Sequence, residues 1–419
     1  MKSFSMMVLG CKVNDFEATY VKNELLKEYH YVSFKEKADI VIIFTCSVTN
    51  MAESKSRKFI HNAIKNNPHA YIVVVGCLVQ IKPNLDEFKK VNLLIGSTNK
   101  NEIVSLIKKG INDNKVKELK NLDFEDLFID KYPGKSRAFL KIEDGCNQFC
   151  SYCIIPYARG NERSCKHEKV IKQAKLLAKD FNEIVLTGIH TGRYNDNGYR
   201  LYDLLLDLVK IDDLKTIRLS SIEINELNDN IINLISSNNK IARHLHIPLQ
   251  AASNEVLRLM NRPYTIEQFI DRVNYIRNKI KDISISTDLI VGFPNESDDI
   301  FNNSLINLDK INFSFIHIFK YSRKTGTSAD LMDGHVDENV KKIRSKIIEE
   351  KEKIWTYNFL SGFIDKIVDV LIEKNDDNYS YGYASQYFYV KLKGIYNIGD
   401  IIKVKIISIN DNIIGEYAS

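Results

Sequence analysis

The sequence predicts an α/β protein in three parts: an N-terminal open parallel sheet, a central partial (β/α)6 barrel and a small C-terminal antiparallel β-barrel. Strand-length apolar runs alternate with helical patterns over residues 1–112 and again over 135–360, as parallel sheets with covering helices require. After residue 362 the pattern changes to short alternating segments with Asn, Asp and Gly turns. A chain of 419 residues is also too long for one ordinary core.

The first part contains four apolar runs that favour buried parallel strands. These runs cover residues 4–9, 40–44, 71–75 and 93–95, and the helical patterns around them cover 15–29, 52–65, 84–90 and 99–109. Residues 113–134 are charged and poorly periodic and end in Pro133-Gly134, so we predict a linker there.

The second and third parts have their own strand patterns. Barrel strands are predicted at 138–142, 183–187, 216–220, 244–247, 286–291 and 313–319, with a long charged helix at 339–360. Segments 364–372, 379–392 and 401–409 form the predicted module of residues 361–419. A βα barrel places its site at the carboxyl ends of its strands, so functional residues are expected there.

Composition limits the kind of protein this can be. Its apolar runs are far shorter than a membrane span, and the N-terminus has no secretory signal pattern, so we expect a cytoplasmic protein without a membrane partner. In a reducing compartment, seven cysteines indicate metal binding or catalysis rather than disulfides. A net charge of +5 permits a nucleic-acid partner without indicating one.

The strongest local signal is a cysteine loop, CNQFCSYC, that directly follows the first barrel strand. Cys146, Cys150 and Cys153 are spaced so that one turn of backbone can wrap an iron–sulfur cubane. Three thiolates leave one iron of a four-iron cluster open for reaction. A structural zinc site is the alternative, with Cys165 or His167 as a fourth ligand.

A second cysteine triad is dispersed along the N-terminal part. Cys11, Cys46 and Cys77 each fall within two residues of the end of a predicted strand. Ligand sites of open α/β sheets lie outside the carboxyl ends of the strands, so the three loops can converge. Each cysteine alone would fit a small buried residue. Their shared position predicts a second cluster.

These six cysteines and the motifs after them resemble the methylthiotransferase family of radical S-adenosylmethionine enzymes over nearly the whole chain. The matching motifs are IIPYARG (154–160), LTGIH (186–190), RLSSIE (218–223), LHIPLQ (245–250), TDLIVGFP (287–294) and FKYSR (319–323). The family pattern usually has a second arginine where this chain has Cys165, which we interpret as a spectator thiol. Each motif lies at the carboxyl end of a predicted barrel strand.

The resemblance implies two [4Fe–4S] clusters and S-adenosyl-L-methionine as cofactors. The open iron at the 146–153 loop would bind S-adenosylmethionine and cleave it to a deoxyadenosyl radical, while Cys11, Cys46 and Cys77 would hold an auxiliary cluster for the methylthio group. The residues expected near S-adenosylmethionine are Tyr152, Gly188, Glu223, Gln250 and Gly292. The general acid or base is left unassigned.

The resemblance also implies the substrate and the partners. The LGCKVN segment (9–14) is similar to the branch that acts on N6-threonylcarbamoyladenosine in a tRNA anticodon stem-loop, with Lys12, Arg159 and Arg323 as substrate contacts. Alternatives are isopentenyladenosine in tRNA, a ribosomal-protein side chain, or a non-catalytic zinc-containing RNA-binding protein. A reduced flavodoxin or ferredoxin would donate electrons to a monomer, and tyrosines of the C-terminal module could stack on bases.

Overall fold

The computed structural model describes residues 2–120, 122–410 and 412–418. Its N-terminal part is a parallel sheet of six strands in the order β2-β1-β3-β4-β5-β6. The strands are β1 (Ser3–Val8), β2 (His30–Tyr31), β3 (Ile40–Thr45), β4 (Tyr71–Gly76), β5 (Leu93–Ile95) and β6 (Asp113–Lys115). The helices are α1 (Lys12–Leu26), α2 (Asn50–Asn66), α3 (Cys77–Ile81) and α4 (Ile103–Lys108). The four apolar runs therefore form the centre of the sheet, as predicted.

The linker prediction is wrong in two respects. Strand β6 lies inside the segment predicted as linker and pairs in parallel with β5 at the edge of the sheet. Its three residues are polar, so no apolar pattern marks it. Farther along, Leu127, Ile129 and Tyr132 are buried in the core of the central barrel. This segment is thus packed against the barrel by apolar side chains that are too widely spaced to show a period.

The central part confirms the predicted partial barrel of six main strands. Three parallel strands, in the order β13-β10-β7, meet three more in the order β14-β15-β16, and single bridges from β13 and Ser221 join the two halves. The strands are β7 (Ala138–Lys141), β8 (Glu143–Asp144), β9 (Arg163–Ser164), β10 (Glu183–Thr187), β11 (Asn195–Asp196), β12 (Tyr199–Arg200), β13 (Thr216–Leu219), β14 (His244–His246), β15 (Ser284–Val291) and β16 (Phe315–Lys320). The helices are α5 (Ile155–Arg159), α6 (His167–Leu177), α7 (Leu201–Leu208), α8 (Asp229–Ser237), α9 (Asn254–Leu259), α10 (Ile266–Lys279), α11 (Asp298–Ile311) and α12 (Glu338–Ser361).

The C-terminal part is a closed barrel of five strands in the order β17-β18-β19-β21-β20. The strands are β17 (Ile367–Asn375), β18 (Tyr379–Ala384), β19 (Tyr389–Lys393), β20 (Ile401–Ile409) and β21 (Ile413–Tyr417). The predicted barrel is confirmed, but one pair, β19 with β21, is parallel rather than antiparallel. A closed ring of five strands cannot alternate direction at every pair, so one parallel pair is unavoidable.

The C-terminal barrel is joined to the base of the central barrel by the turn between β18 and β19. Arg218 of β13 donates through Nη1 to the carbonyl of Ser385 at 3.0 Å. The ring of Tyr387 stacks on His244, the first residue of β14, with centroids 4.6 Å apart. This turn therefore closes the end of the central barrel opposite the cysteine loop.

Among the described residues, no helix is long and apolar enough to cross a membrane.

Candidate functional site

The cysteine loop after β8 is held in one tight turn by backbone hydrogen bonds. The Cys146 N–H donates to the carbonyl of Gly160 at 3.0 Å, and the Cys153 N–H donates to the carbonyl of Cys150 at 2.9 Å. Phe149 takes a positive φ of 48°, which turns the chain between the first two cysteines. Burial, with the nearby Cys150 and Cys146 thiols, raises the pKa of Cys153 to about 12. The three thiols are thus carried on one short loop and lie close enough to influence one another.

Arg262 connects this loop to the barrel rim and was not predicted from the sequence. Its Nη1 lies 3.4 Å from the Cys150 sulfur, while Nη2 donates to the Pro248 carbonyl at 3.1 Å and pairs with the carboxylate of Glu223. Burial raises the pKa of the Cys150 thiol, and the Arg262 charge opposes that rise. Because Arg262 contacts both Cys150, a predicted cluster ligand, and Glu223, a predicted cofactor contact, it can fix the positions of these two side chains relative to each other.

The residues predicted to contact S-adenosylmethionine lie at the same end of the barrel, but the glycine at position 292 has a structural reason of its own. Tyr152 and Glu223 lie beside Arg262 and Cys150, and burial raises the pKa of both side chains. Gln250, with a positive φ of 70°, bonds through its backbone to β15. Gly292 also has a positive φ, but a Cβ there would meet Cγ of Lys341 at 2.2 Å. Its requirement for glycine comes from the positive φ and from the packing of α12, and neither depends on a cofactor.

Gly188 is restricted by a buried carboxyl, Glu143, which was not predicted from the sequence. A Cβ at Gly188 would lie 2.9 Å from Oε2 of Glu143, and the same oxygen accepts the His190 N–H at 2.6 Å. Burial raises the pKa of Glu143 to about 8, although the His190 N–H opposes the rise. Burial thus favours the protonated form of this carboxyl, which lies next to the glycine predicted to approach the cofactor.

Replacing Glu143 by Gln should remove a pH-dependent loss of stability. Between the ordinary pKa of 4.5 and the folded value of about 8, the unfolded carboxyl is charged while the folded one is neutral, so wild-type stability falls as pH rises through this window. The variant should unfold at a higher temperature than the wild type, by a margin that widens from about pH 5 to about pH 8, in scanning fluorimetry. Glu162→Gln is the control, because the His190 hydrogen bond lowers the pKa of Glu162. A margin for Glu143→Gln that stays constant over the range would contradict the prediction.

The second triad converges at the carboxyl ends of β1, β3 and β4. Asn14 ties two of these ends together, since its Nδ2 donates to the Leu9 carbonyl at 2.7 Å and to the Thr45 carbonyl at 2.9 Å. Burial, with the Cys77 and Cys11 thiols, raises the pKa of Cys46 to about 11. Removal from water by the neighbouring residues also raises the pKa of Cys11, although part of its side chain is exposed. Cys11 is the member of this triad that reaches the surface, since Cys46 and Cys77 are buried.

The three predicted substrate contacts occupy different environments. Arg159 is completely buried, and its guanidinium bonds Glu17, Asn14 and Asp144. Its side chain is therefore not accessible to a substrate, and the prediction of a substrate contact is wrong for this residue. Lys12 is half-buried, and removal from water together with the charges of Arg218 and Arg137 lowers its pKa. Arg323 is 59% exposed and bonds Asp330 through Nε at 3.0 Å.

A third group of side chains lies inside the barrel and was not assigned a role from the sequence. His246, Asp288 and His317 come from adjacent strands β14, β15 and β16, and their donor atoms lie within 4.8 Å of one another. His246 Nε2 is 3.3 Å from the Asp288 carboxylate, and its Nδ1 is 3.0 Å from the hydroxyl of Ser286. The alternation of β14, which points residues 244 and 246 inward, could have indicated this group.

The proposed fourth ligands of a zinc site lie away from the cysteine loop. His167 Nε2 is bonded to the Asp207 carboxylate at 3.0 Å, and the Cys165 sulfur lies 4.0 Å from Oδ1 of Asp126. Cys165 lines a cavity of about 230 Å³ beneath the segment around Phe124 and Phe128. Burial raises the pKa of Cys165 to about 12, as fits a spectator thiol. The closed zinc site that uses either residue is not formed.

Two protein families match separate stretches of the chain. Residues 140–305 match the radical SAM superfamily, and residues 3–96 match uncharacterized protein family UPF0004. Proteins named threonylcarbamoyladenosine tRNA methylthiotransferase MtaB are 38% identical in Aquifex aeolicus (95% of this chain, 98% of the relative) and 36% identical in Bacillus subtilis (97% and 94%). A tRNA-2-methylthio-N(6)-dimethylallyladenosine synthase of Thermodesulfovibrio yellowstonii is 33% identical (95% and 94%).

Among solved structures, the radical S-adenosylmethionine methyltransferase TsrM from Kitasatospora setae, with cobalamin and a [4Fe–4S] cluster bound, has a similar fold. The TM-score is 0.59 with 13% sequence identity, over 79% of this chain and 77% of that chain. At this level of identity the likeness concerns the fold alone. It covers more of the chain than the central barrel by itself.

Proposed function

We propose that this chain, which belongs to the methylthiotransferase family of radical S-adenosylmethionine enzymes, adds a methylthio group to C2 of N6-threonylcarbamoyladenosine beside the anticodon of tRNA. The observation that carries the proposal is the joining of two cysteine triads. Helix α5, which follows Cys153, packs on helix α3, which begins at Cys77. Arg159, the last residue of α5, contacts Asn14, three residues after Cys11. Two cluster-binding loops thus meet across one interface.

The family implies S-adenosylmethionine and a [4Fe–4S] cluster, and the residues present fit both groups. Cys146, Cys150 and Cys153 would hold the cluster and leave one iron open; when bound, it supplies the electron that cleaves S-adenosylmethionine. Cys11, Cys46 and Cys77 would hold a second cluster. A fit there is supported by two buried polar atoms without a hydrogen-bond partner among the described residues, Ser47 Oγ and Arg159 Nε. A cluster sulfur would give such donors an acceptor.

Tyr152, Glu223, Gln250 and Gly188 would orient S-adenosylmethionine. Glu223 offers a carboxylate for its amino group, and Arg262 holds that carboxylate in place while it contacts Cys150. Gly188 leaves room for close approach of the backbone, and the protonated form of Glu143 behind it places no second negative charge at this position. These contacts position the cofactor and exclude water from it.

Lys12 is the residue that would read the threonylcarbamoyl carboxylate. It follows Cys11 directly and is half-buried; removal from water lowers its pKa most, Arg218 and Arg137 lower it further, and Glu183 opposes them. An anionic substituent would pair with the Lys12 ammonium group, whereas an isopentenyl group carries no charge. Arg323 already bonds Asp330, so a phosphate contact at the rim suits it better.

The C-terminal barrel would bind RNA through its outward-facing tyrosines. Tyr381 and Tyr389 stack on each other with ring centroids 6.1 Å apart, and the amine of Lys391 lies 4.0 Å above the ring of Tyr379. Tyr387 packs on His244 and Phe388 is buried, so neither is available to a base. A tRNA substrate implies a cytoplasmic enzyme. Reductive cleavage of S-adenosylmethionine requires an electron donor, for which we propose a reduced flavodoxin or ferredoxin.

Anaerobic reconstitution should give about eight iron and eight sulfide ions per chain, because each triad would hold one four-iron cluster. Cys46→Ala and Cys150→Ala should each retain about half of that content, and Cys165→Ala should retain all of it. Iron and acid-labile sulfide analysis measures this directly. A wild-type content near four iron ions, unchanged in Cys46→Ala, would refute the second cluster.

The proposed function is tested by incubating the reconstituted enzyme with S-adenosylmethionine, a reductant, inorganic sulfide as the source of the inserted sulfur, and tRNA that carries threonylcarbamoyladenosine. We expect 5′-deoxyadenosine and a methylthio derivative of that nucleoside, both identified by mass spectrometry. Formation of the derivative only on isopentenyladenosine would transfer the chain to the other tRNA branch of the family. Modification of a ribosomal protein instead would refute a tRNA substrate.

A further inference from the structure

Arg159, the last residue of the helix after the cysteine loop, reaches into the N-terminal sheet domain through two of its three guanidinium partners. Nη2 donates to Oδ1 of Asn14 at 2.7 Å, and Nη1 donates to Oε1 of Glu17 at 2.6 Å. Both partners belong to α1, the helix that begins directly after Cys11. Nη1 also lies 3.4 Å from Asp144, next to the strand end that leads into the cysteine loop. Arg159 is therefore fixed between the two triads.

Arg159 is tied to the loops that carry two cysteines of the N-terminal triad. Its partner Asn14 also donates to the carbonyls of Leu9 and Thr45, which precede Cys11 and Cys46 in the chain. The Nε–H of Arg159 is buried and has no hydrogen-bond partner among the residues that the structure describes. A buried donor of this kind is costly unless a bound group accepts from it.

We propose that Arg159 is the hydrogen-bond donor and counter-charge of the auxiliary cluster, and that it raises the reduction potential of that cluster. Hydrogen bonds to cluster sulfurs and nearby positive charge stabilise the reduced, more negative state. Because α5 also carries the backbone that follows Cys153, the same residue links the environment of one cluster to the loop that holds the other. This inference rests on the proposed function, since it requires the auxiliary cluster.

Arg163 provides a matched control within the same group of buried charges. It bonds Asp144 through Nη2 at 2.9 Å, as Arg159 Nη1 does more weakly, but its Nη1 donates to the carbonyls of Arg159 and Asn161. Arg163→Gln therefore disturbs the ion cluster and removes a second buried donor without a partner among the described residues, Arg163 Nε, while it leaves the Arg159 Nε–H in place. Arg159→Gln removes both charge and donor, whereas Arg159→Lys keeps the charge and removes the Nε–H.

The test is an EPR-monitored redox titration of the full-length reconstituted protein. The auxiliary signal is assigned as the one that Cys46→Ala abolishes and that added S-adenosylmethionine leaves unchanged. We expect its midpoint potential to become more negative in Arg159→Gln, to shift less in Arg159→Lys and to stay at the wild-type value in Arg163→Gln. The potential of the other cluster should move less than that of the auxiliary cluster in each variant.

Several outcomes would overturn the inference. If Arg159→Lys has full iron content and the midpoint potential of its auxiliary cluster equals that of the wild type, the Nε–H does not reach the cluster. Should Arg159→Gln fail to fold, the lysine variant alone decides. An equal shift in Arg163→Gln would assign the effect to the ion cluster as a whole. A wild type without an auxiliary cluster would refute the proposed function itself, a result that iron analysis separates from all of these.

Discussion

Cys150→Ala is expected to abolish cleavage of S-adenosylmethionine, whereas Cys46→Ala is expected to leave cleavage measurable and to stop methylthio transfer. The two residues belong to separate triads: Cys150 lies on the loop of the central barrel, and Cys46 follows the carboxyl end of strand β3 in the N-terminal sheet. Only the loop triad adjoins Arg262 and Glu223, the predicted cofactor face. Loss of a ligand to the cluster that binds S-adenosylmethionine therefore removes the first step, and loss of a ligand to the other cluster removes a later one.

The measurement is the yield of 5′-deoxyadenosine and of methylthiolated nucleoside from the same anaerobic reaction. Cys150→Ala should give background levels of both, and Cys46→Ala should give deoxyadenosine without methylthiolated product. Cys165→Ala is the matched control, because this buried thiol lies beside Asp126 and outside both triads. Identical behaviour of Cys46→Ala and Cys150→Ala would show that the division of roles between the triads is wrong.

Lys12→Met is expected to remove most of the preference for threonylcarbamoyladenosine over isopentenyladenosine. A charge-assisted hydrogen bond to the threonylcarbamoyl carboxylate contributes about 1.5–3 kcal/mol, which corresponds to roughly tenfold to hundredfold discrimination. The wild type should show a preference of that size when the two tRNAs compete in one reaction at one stated salt concentration. Lys12→Arg keeps the charge and should keep most of the preference.

Arg323→Met controls for a general loss of positive charge. Arg323 bonds Asp330 at the rim, and Asn50 donates to its carbonyl at 2.9 Å, so its replacement should weaken binding of both tRNAs to a similar extent. Iron content must match the wild type in each variant, because Lys12 adjoins Cys11. Equal turnover of both tRNAs by the wild type would refute the substrate assignment while leaving the radical chemistry intact. An unchanged preference in Lys12→Met would refute only the role of Lys12.

The sequence predicts correctly those parts of the fold in which burial requires a regular pattern of apolar residues. The central strands of the N-terminal sheet are continuous apolar runs because both faces are covered, and Val41 and Val73 are completely buried. Cys46 and Cys77 could be located at strand ends for the same reason. The edge strands β2 and β6 were missed because they are two or three residues long and largely polar.

The parts that sequence reasoning missed depend on contacts between residues far apart in the chain. Arg159 in a loop looks like a phosphate contact until Glu17, 142 residues away, is seen to hold it. Arg262 acquires its role from Cys150, 112 residues away. Burial of Glu143 depends on the turn at Gly188. Hydrophobic periodicity carries no information about such pairs, because the charged partners leave no repeating pattern.

The central claim is most directly tested by mass spectrometry of tRNA nucleosides from cells with and without the gene for this chain. We predict that the 2-methylthio derivative of N6-threonylcarbamoyladenosine disappears from the cells without the gene, that unmodified N6-threonylcarbamoyladenosine increases by the same amount, and that expression of the wild-type chain, but not of Cys150→Ala, restores the derivative. Persistence of that derivative without the gene, or loss of the 2-methylthio derivative of isopentenyladenosine in its place, would contradict the account.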